Sequence, residues 1–198
     1  TDLPTVQSYC ITTLQGHTSY IFSLTLVGKY LYSGSSDNEI RVWKRTSLNY
    51  GADGERVANN VIALGKSAAK SMVVLANKLF TAHHDCKIRV WKIKAQEPYQ
   101  NHKYEKIASL PTLGDRTVKL LNPNNQVQIR RHKKCTWVHH VDTVSALALS
   151  RDQSLLYSVS WDRTLKIWRT SDFKCLESVT NAYDDAINAV AVSSDGEV

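Results

Sequence analysis

The sequence predicts an all-β protein assembled from repeated sheets of four short strands, and two observations carry that prediction. Three segments align with one another, at 31–43, 79–91 and 156–168, and each has Ser or Thr, then Asp four residues later, then Trp six residues after the Asp. The runs around these segments are short, alternate in polarity and are rich in β-branched and aromatic residues, whereas no long segment has a helical period of 3.6 residues.

The strands are predicted in chain order from the first unit, in which 21–27, 29–35 and 39–44 have the clearest patterns. Tight turns are predicted where Asp begins a dipeptide that tolerates left-handed backbone. These turns are Asp37-Asn38, Asp85-Cys86 and Asp162-Arg163. The outer strands have weaker patterns and are expected at 9–14, 57–64, 107–110, 135–139 and 175–179.

Composition excludes several classes of protein. The chain has 198 residues, of which 42% are hydrophobic and 22% are charged, so it can bury a core. No apolar run approaches the roughly 18 residues that a membrane helix needs, and the first residues show no secretory signal. The four cysteines lie far apart, which favours free thiols in a reducing compartment over a disulfide framework. We therefore expect a protein of the cytoplasm, the nucleus or both.

Most of the positive charge lies in one segment. The net charge is +7, and residues 101–135 hold eight basic residues against two acidic ones. Such a surplus attracts nucleic acid, phosphorylated protein or acidic patches. A solvated loop that only improves solubility is the other interpretation, because the basic run is short and no aromatic residue interrupts it. The candidate anion-binding residues are Arg130, Arg131, Lys133 and Lys134.

The spacing of the repeats predicts propeller blades of the WD type. The Asp residues of the three units are 48 and 77 residues apart, and a WD-type blade takes roughly 40–45 residues. The longer interval leaves room for a basic insertion at about 114–135. The predicted blade cores are 17–45, 66–93 and 140–169, and 183–198 has the pattern of a further blade's first strand. We expect one partial propeller of about three and a half four-stranded blades with unpaired edges.

A buried polar network is predicted to hold the outer loops of each blade. A turn carboxylate accepts from an imidazole, the imidazole meets a hydroxyl, and the hydroxyl accepts the indole N–H. The three sets are His17, Ser33, Asp37 and Trp43; Thr81, Asp85 and Trp91; and His140, Ser158, Asp162 and Trp168. In the second set Gly65 stands where the imidazole is expected. That blade is predicted to be the most labile, because a missing member strands the others at about 1–3 kcal/mol each.

Catalytic chemistry is not predicted from these residues. The combination of Ser, His and Asp recurs from blade to blade, no G-x-S-x-G turn is present, and the hydroxyl lies in mid-strand beside a Trp. No nucleotide-binding motif occurs. The clusters at 83–86 and 132–140 lack the paired spacing of zinc modules, so neither a metal nor a cofactor is expected.

Several stretches also resemble a known family. They are 31–45, 80–92, 110–113, the run Arg130-Arg131-His132-Lys133 leading into Trp137, and 157–168. On these stretches the chain resembles plant WD-repeat (WD40) proteins of the Jingubang-like group. The resemblance implies a seven-bladed propeller, a non-enzymatic platform for protein interaction with a regulatory or signalling role, and a plant intracellular setting. Tyr183, where His is expected, and Cys86, where Gly would suit the turn, depart from the family pattern.

The resemblance also implies that partners bind on the face around the central channel. The candidate residues there begin the inner strands or precede a turn Asp, and they are Tyr20, Phe22, Ser36, Lys70, His84, Ser145, Trp161 and Asn188. Aromatic residues dominate interface energetics, so Tyr20, Phe22 and Trp161 are the predicted anchors. The other interpretation is that these aromatic residues only pack between blades and bind no partner. Other proteins are the expected partners, and the alternative is a nucleic acid or a phospholigand bound at 130–134. Neither a membrane nor a small-molecule substrate is expected.

Overall fold

The computed structural model describes residues 13–44, 60–93, 104–120, 126–130, 133–180 and 183–193. Most of the strands in these ranges form three antiparallel sheets of four strands each. We name these sheets blades 1, 2 and 3 in chain order. In each blade the strands are adjacent in the order in which the chain makes them, so every connection within a blade is between neighbours.

The elements follow one another along the chain with the same plan in each blade. Blade 1 comprises β1 (Ile21–Val27), β2 (Tyr30–Ser35), β3 (Glu39–Lys44) and β4 (Val61–Leu64). Blade 2 comprises β5 (Ala69–Leu75), β6 (Lys78–His83), β7 (Ile88–Lys92) and β8 (Glu105–Leu110). A helix, α1 (Leu113–Leu120), and a hairpin of β9 (Gln126–Arg130) and β10 (Lys133–Thr136) come next. Blade 3 comprises β11 (Val144–Leu149), β12 (Leu155–Ser160), β13 (Leu165–Arg169) and β14 (Cys175–Val179).

The predicted all-β class is confirmed by these sheets. Each tight turn between the second and third strands of a blade contains a non-glycine residue with positive φ. These residues are Asn38 (68°), Cys86 (64°) and Arg163 (67°). Asn tolerates this conformation better than Cys or Arg, which lack a short polar side chain that bonds locally.

Four expectations about elements need correction. The helix α1 was not expected; Thr112 caps it, because the Asp115 N–H donates to Thr112 Oγ1 at 3.2 Å. The strand expected at 135–139 ends at Thr136 and pairs with β9 in a separate hairpin. Of the strand expected at 9–14, residues 9–12 lie outside the described part, and 13–14 are not a strand. Described residues 183–193 form no strand, whereas the further blade expected over 183–198 extends beyond the described residues and stays a prediction.

The core lies between the faces of successive blades. Successive residues of β6 pack into two different cores, because side chains along a strand point alternately to opposite faces. Leu79 packs towards blade 1 with Tyr32 and Ile40, whereas Phe80 packs towards blade 3 with Leu156. The central strand of blade 2 is therefore almost wholly buried.

Among the described residues, the one helix is the eight-residue α1. Within the ranges given above, no helix is long and apolar enough to cross a membrane.

Candidate functional site

Blade 1 brings together its four predicted network residues. Trp43 Nε1–H donates to Ser33 Oγ at 2.8 Å, and that oxygen lies 2.8 Å from His17 Nε2. Because the hydroxyl accepts the indole proton, its own proton is free to go to Nε2. His17 Nδ1 then carries the proton that reaches Asp37 Oδ2 at 2.8 Å. This order fixes the imidazole tautomer through the hydrogen bonds at both ring nitrogens.

Blade 3 has the same arrangement with more donors on the carboxylate. Trp168 Nε1–H donates to Ser158 Oγ at 2.8 Å, and His140 bridges Ser158 and Asp162 at 2.8 and 3.2 Å. Asp162 also accepts from the Val141 N–H, the Thr164 N–H and the Thr164 hydroxyl. The whole network is buried, with the side chains of His140 and Asp162 only 2% and 3% exposed.

The electrostatics of these networks follow from burial and hydrogen bonding. Burial alone would raise the pKa of Asp162, but hydrogen bonds from His140, Thr164 and Val141 outweigh it and hold that pKa well below its ordinary value. Asp37 follows the same logic, with the hydrogen bonds from Glu39, His17 and Thr18 keeping its pKa low against burial. Burial lowers the pKa of His140, which is therefore neutral at pH 7. Blade 3 thus pairs the Asp162 carboxylate with a neutral His140 imidazole.

Blade 2 completes its network with a residue that the sequence analysis missed. His83 Nε2 lies 2.7 Å from Thr81 Oγ1, and Trp91 Nε1–H donates to the same hydroxyl at 2.8 Å. The other ring nitrogen, Nδ1, lies 2.9 Å from the Ser67 carbonyl oxygen and donates to it. A peptide carbonyl therefore stands where the other blades have a carboxylate.

The prediction that Asp85 belongs to this network is wrong. Its carboxylate accepts both guanidinium N–H groups of Arg89, at 3.0 and 2.5 Å, and its backbone N–H donates to Ser67 Oγ. Burial would raise the pKa of Asp85, but Arg89 keeps it below the ordinary value. The expected lability of blade 2 also loses its basis, because Thr81 and Trp91 both have partners.

The position of His83 explains how blade 2 obtains an imidazole although Gly65 stands at the usual imidazole position. Residues two apart in a strand point to the same face, so His83 in β6 lies beside Thr81. The preceding loop therefore does not have to supply an imidazole. Gly65 keeps the usual imidazole position open: a Cβ there would lie 3.2 Å from the Ser67 carbonyl and 3.5 Å from His83 Cε1. The pair of His83 and Gly65 was visible in the sequence, and the same-face rule could have identified it.

The hydroxyls and carboxylates of these networks are already engaged in hydrogen bonds within the blades. Ser33 and Ser158 are 1% and 0% exposed, and both hydroxyls are already engaged with an imidazole and an indole. His17, Asp37 and Glu39 bring ligand atoms within 4.8 Å of one another. However, Asp37 accepts from His17, and Glu39 accepts from Arg41 at 2.6 and 2.9 Å. This group therefore consists of the blade 1 network and an ion pair.

Five of the eight predicted partner-binding residues come together in one cluster, which we name the rim cluster: Phe22, Lys70, His84, Trp161 and Asn188. Lys70 Nζ lies 3.4 Å from the Phe22 ring centroid and 5.4 Å from that of Trp161. His84 meets the Trp161 ring edge to face at 6.3 Å. Trp161 Nε1–H donates to Asn188 Oδ1 at 2.9 Å. The cluster thus links residues of all three blades to the segment that follows blade 3.

The other three predicted residues are placed differently. Tyr20 is 79% exposed, and its backbone carbonyl accepts from the Ser36 N–H at 2.9 Å. The Ser36 hydroxyl donates to Ser19 Oγ at 2.6 Å. The Ser145 hydroxyl donates to the Val159 and Ile187 carbonyls. Ser36 and Ser145 therefore use their protons within the protein.

A β-bulge sets the position of the inner-strand residues. Phe22, Lys70 and Ser145 are each the extra residue where the register between the first two strands of a blade shifts. A bulge leaves its extra residue unpaired and redirects its side chain. The sequence placed these residues at equivalent positions but did not reveal the bulge.

The predicted anion-binding residues lie on the β9–β10 hairpin. Lys133 is paired with Arg130, and Lys134 with Gln128, in antiparallel register. Arg131 lies outside the described residues. The hairpin therefore places three of the four basic residues close together along the backbone.

Comparison with known proteins supports the fold and changes the family assignment. Residues 8–44 and 132–169 match the family WD40, described as WD domain, G-beta repeat. The WD40 repeats of RRP9, in a crystal structure, superpose with a TM-score of 0.55 at 20% identity, covering 87% of this chain and 42% of that one. The three sheets are thus WD40-type propeller blades, and the chain carries WD40 repeats.

Curated proteins with similar sequences have different names. The ribosome biogenesis protein ytm1 of Emericella nidulans is 27% identical over 158 residues, covering 77% of this chain and 32% of the relative. The nuclear distribution protein PAC1-2 of Uncinocarpus reesii is 25% identical over 190 residues, covering 93% and 37%. The chain therefore spans about a third of the length of these relatives.

The expected membership of the plant Jingubang-like group is wrong. The similar curated proteins include ribosome biogenesis proteins of the ytm1 type from several fungi. The plant setting and the signalling-adaptor role depended on that resemblance and are withdrawn with it. The error arose because the strand and turn motifs that carried the resemblance are those of WD40 blades in general.

Proposed function

We propose that this chain is part of a non-enzymatic WD40 scaffold that binds other proteins through the rim cluster. The observation that carries the proposal is the exposed aromatic surface there, where Phe22 and Trp161 are 41% and 37% exposed although they touch other rim residues. Aromatic side chains that are partly fixed before binding lose little entropy and anchor interfaces well. The hydroxyls of the polar networks are buried and already hydrogen-bonded, which supports a structural role for them.

We further propose that the scaffold acts in the assembly of ribosomes and therefore in the nucleus. The support is the similarity to ribosome biogenesis proteins ytm1 from several fungi. The matched region is 32–40% of each of those proteins, so the proposal concerns only the portion that aligns with this chain.

The test is co-sedimentation of the purified chain with pre-ribosomal particles from a fungal nuclear extract. Trp161→Ala is expected to weaken the association at least about tenfold, because interface anchors contribute about 2 kcal/mol or more. Leu113→Ala is the matched control, since Leu113 is an exposed apolar residue of α1 outside the rim cluster. Failure of the unmodified chain to co-sediment would overturn the ribosomal role. Equal binding by both variants would overturn the role of the rim cluster.

Nucleic-acid binding by the basic hairpin is a second candidate function. It is favoured by the pairing of Arg130 with Lys133 in β9–β10 within the strongly basic segment. Binding of single-stranded RNA by this route should fall steeply between 50 and 200 mM salt, roughly in proportion to the phosphates neutralised. The double variant Arg130→Ala with Lys133→Ala should reduce both the affinity and that salt dependence. A salt-independent complex would exclude this candidate.

A further inference from the structure

Lys70 occupies an unusual place in the rim cluster. Its ammonium group lies over the Phe22 ring and near the Trp161 ring, at 3.4 and 5.4 Å from the two centroids. An ammonium in this position is attracted to the negative face of an aromatic ring. The two rings therefore fix the side chain of a residue that the β-bulge has already turned out of the regular strand pattern.

Within the described part of the chain, no carboxylate forms an ion pair with this ammonium group. Among the residues that the structure describes, none of the ion pairs involves Lys70, whereas Arg41, Arg89 and Arg169 each pair with a carboxylate. Burial lowers the pKa of Lys70, and no carboxylate opposes that shift. The rings replace part of the water around the charge but do not neutralise it.

Within the rim cluster, the amide of Asn188 offers hydrogen-bond donors. Asn188 Oδ1 accepts the Trp161 indole proton at 2.9 Å, so the amide group retains its N–H donors. His84 Nδ1 and Thr143 Oγ1 lie 2.7 Å apart and satisfy each other. An incoming group that accepts hydrogen bonds and carries negative charge is therefore complementary to this surface.

We propose that the rim cluster recognises a carboxylate of an acidic segment in a partner protein, with Lys70 as the ion-pairing residue and Phe22 and Trp161 in contact with apolar neighbours of that carboxylate. This inference rests on the proposed protein-binding function and specifies the chemistry of its partner. One ammonium between two aromatic rings suits a single carboxylate in an amphipathic peptide. A nucleic acid would instead be followed by a row of cations along its phosphates.

The experiment uses the full chain and a random dodecapeptide phage library. Selected peptides are expected to be enriched in Asp and Glu next to apolar residues. The tightest peptide is then synthesised together with a version in which Asp is replaced by Asn and Glu by Gln. Isothermal titration calorimetry should show the amide version binding about tenfold more weakly to the unmodified chain.

Variants of two similar lysines identify the residue responsible. Lys70→Met is expected to weaken the acidic peptide about tenfold and to abolish the preference over the amide version, whereas Lys70→Arg retains that preference. Lys78→Met is the matched control, because Lys78 is partly buried and lies 5.1 Å from the Phe173 ring centroid at the opposite end of blade 2. Circular dichroism verifies that each variant is folded.

The outcomes separate this inference from the function on which it rests. Peptides whose binding depends on Trp161 but shows no acidic preference would overturn the carboxylate inference and leave the protein-binding function intact. Acidic peptides unaffected by Lys70→Met would overturn the inference as well. Absence of any Trp161-dependent peptide would overturn the protein-binding function itself. A single-stranded oligonucleotide that binds in a Lys70-dependent way, where acidic peptides do not, would identify a phosphate site and also overturn the inference.

Discussion

Blades 2 and 3 both bury an indole and a hydroxyl that bond to an imidazole. They differ in the acceptor that the imidazole bonds to on its other side. In blade 3 the imidazole comes from the segment before the first strand, and its second nitrogen faces the carboxylate of Asp162. In blade 2 it comes from β6, and its second nitrogen faces the Ser67 carbonyl. The difference teaches that the blade requires the hydrogen bonds around the hydroxyl, and that the acceptor behind the imidazole can change.

Removing the turn carboxylate should change the unfolding free energy by very different amounts in the two blades. Asp162→Asn is expected to cost more than about 3 kcal/mol of unfolding free energy, because an amide cannot accept from His140, Val141 and Thr164 together. Asp85→Asn is expected to cost about 1 kcal/mol, because Asp85 is partly exposed and keeps one acceptor for Arg89. Urea unfolding measures both values. Equal losses would show that the carboxylates play the same role in the two blades.

The pH dependence of stability should sharpen the comparison. Burial lowers the pKa of His83 to about 4 from an ordinary 6.5. Between these values the unfolded chain binds a proton that the folded chain does not, so stability falls as the pH falls from 6.5 to about 4. The loss from this group reaches up to about 3 kcal/mol and ends there. His83→Gln should flatten the curve of unfolding free energy against pH in that window.

Blade 3 should continue to lose stability at lower pH. The pKa of Asp162 is held below its ordinary value of 3.8, so the contribution of its carboxylate is complete above that value and is lost as the pH falls below it. Asp162→Asn should therefore remove part of the acid-induced loss below pH 4, whereas His83→Gln should leave that part unchanged. An identical acid limb in both variants would contradict the assignment.

The smallest expected effect is the coupling free energy between Gly65 and His83. His83→Ser should destabilise the protein by removing the imidazole, and Gly65→His should do so by crowding His83 and the Ser67 carbonyl. Together the two changes rebuild the arrangement of blade 3, so the double variant should be about 1 kcal/mol more stable than the sum of the single effects predicts. A double-mutant cycle of thermal unfolding measures this coupling. Strict additivity would show that the two positions do not substitute for one another.

Much of the fold could be predicted because the repeats carry it. The Ser-to-Asp-to-Trp spacing and the alternation of 21–27 and 39–44 lie within single hairpins, where local pattern and tertiary structure agree. The helix α1 was missed because it has only eight residues, although Thr112 and Asp115 form a recognisable N-terminal cap. The ending of β10 at Thr136 depends on its pairing with β9, which no local pattern specifies.

The candidate site shows where prediction from the sequence stops. Equivalent positions in the repeats identified these residues, since Phe22 and Lys70 each lie five residues after the imidazole position of their repeat and Trp161 immediately precedes its turn Asp. Their mutual contacts depend on how neighbouring blades pack, and this is a property of the whole assembly. His83 lies outside the spacing that blades 1 and 3 share, and only the strand face that it has in common with Thr81 places it in the network.

The bulges at Phe22, Lys70 and Ser145 have a consequence for how such a protein can diversify. The extra residue of a bulge has no direct opposite neighbour, so exchanging it alters no cross-strand pair. The three blades already carry an aromatic, a cationic and a hydroxyl side chain at this one structural position. Evolution can therefore vary ligand preference blade by blade there, while the hydrophobic layers between the sheets remain constant.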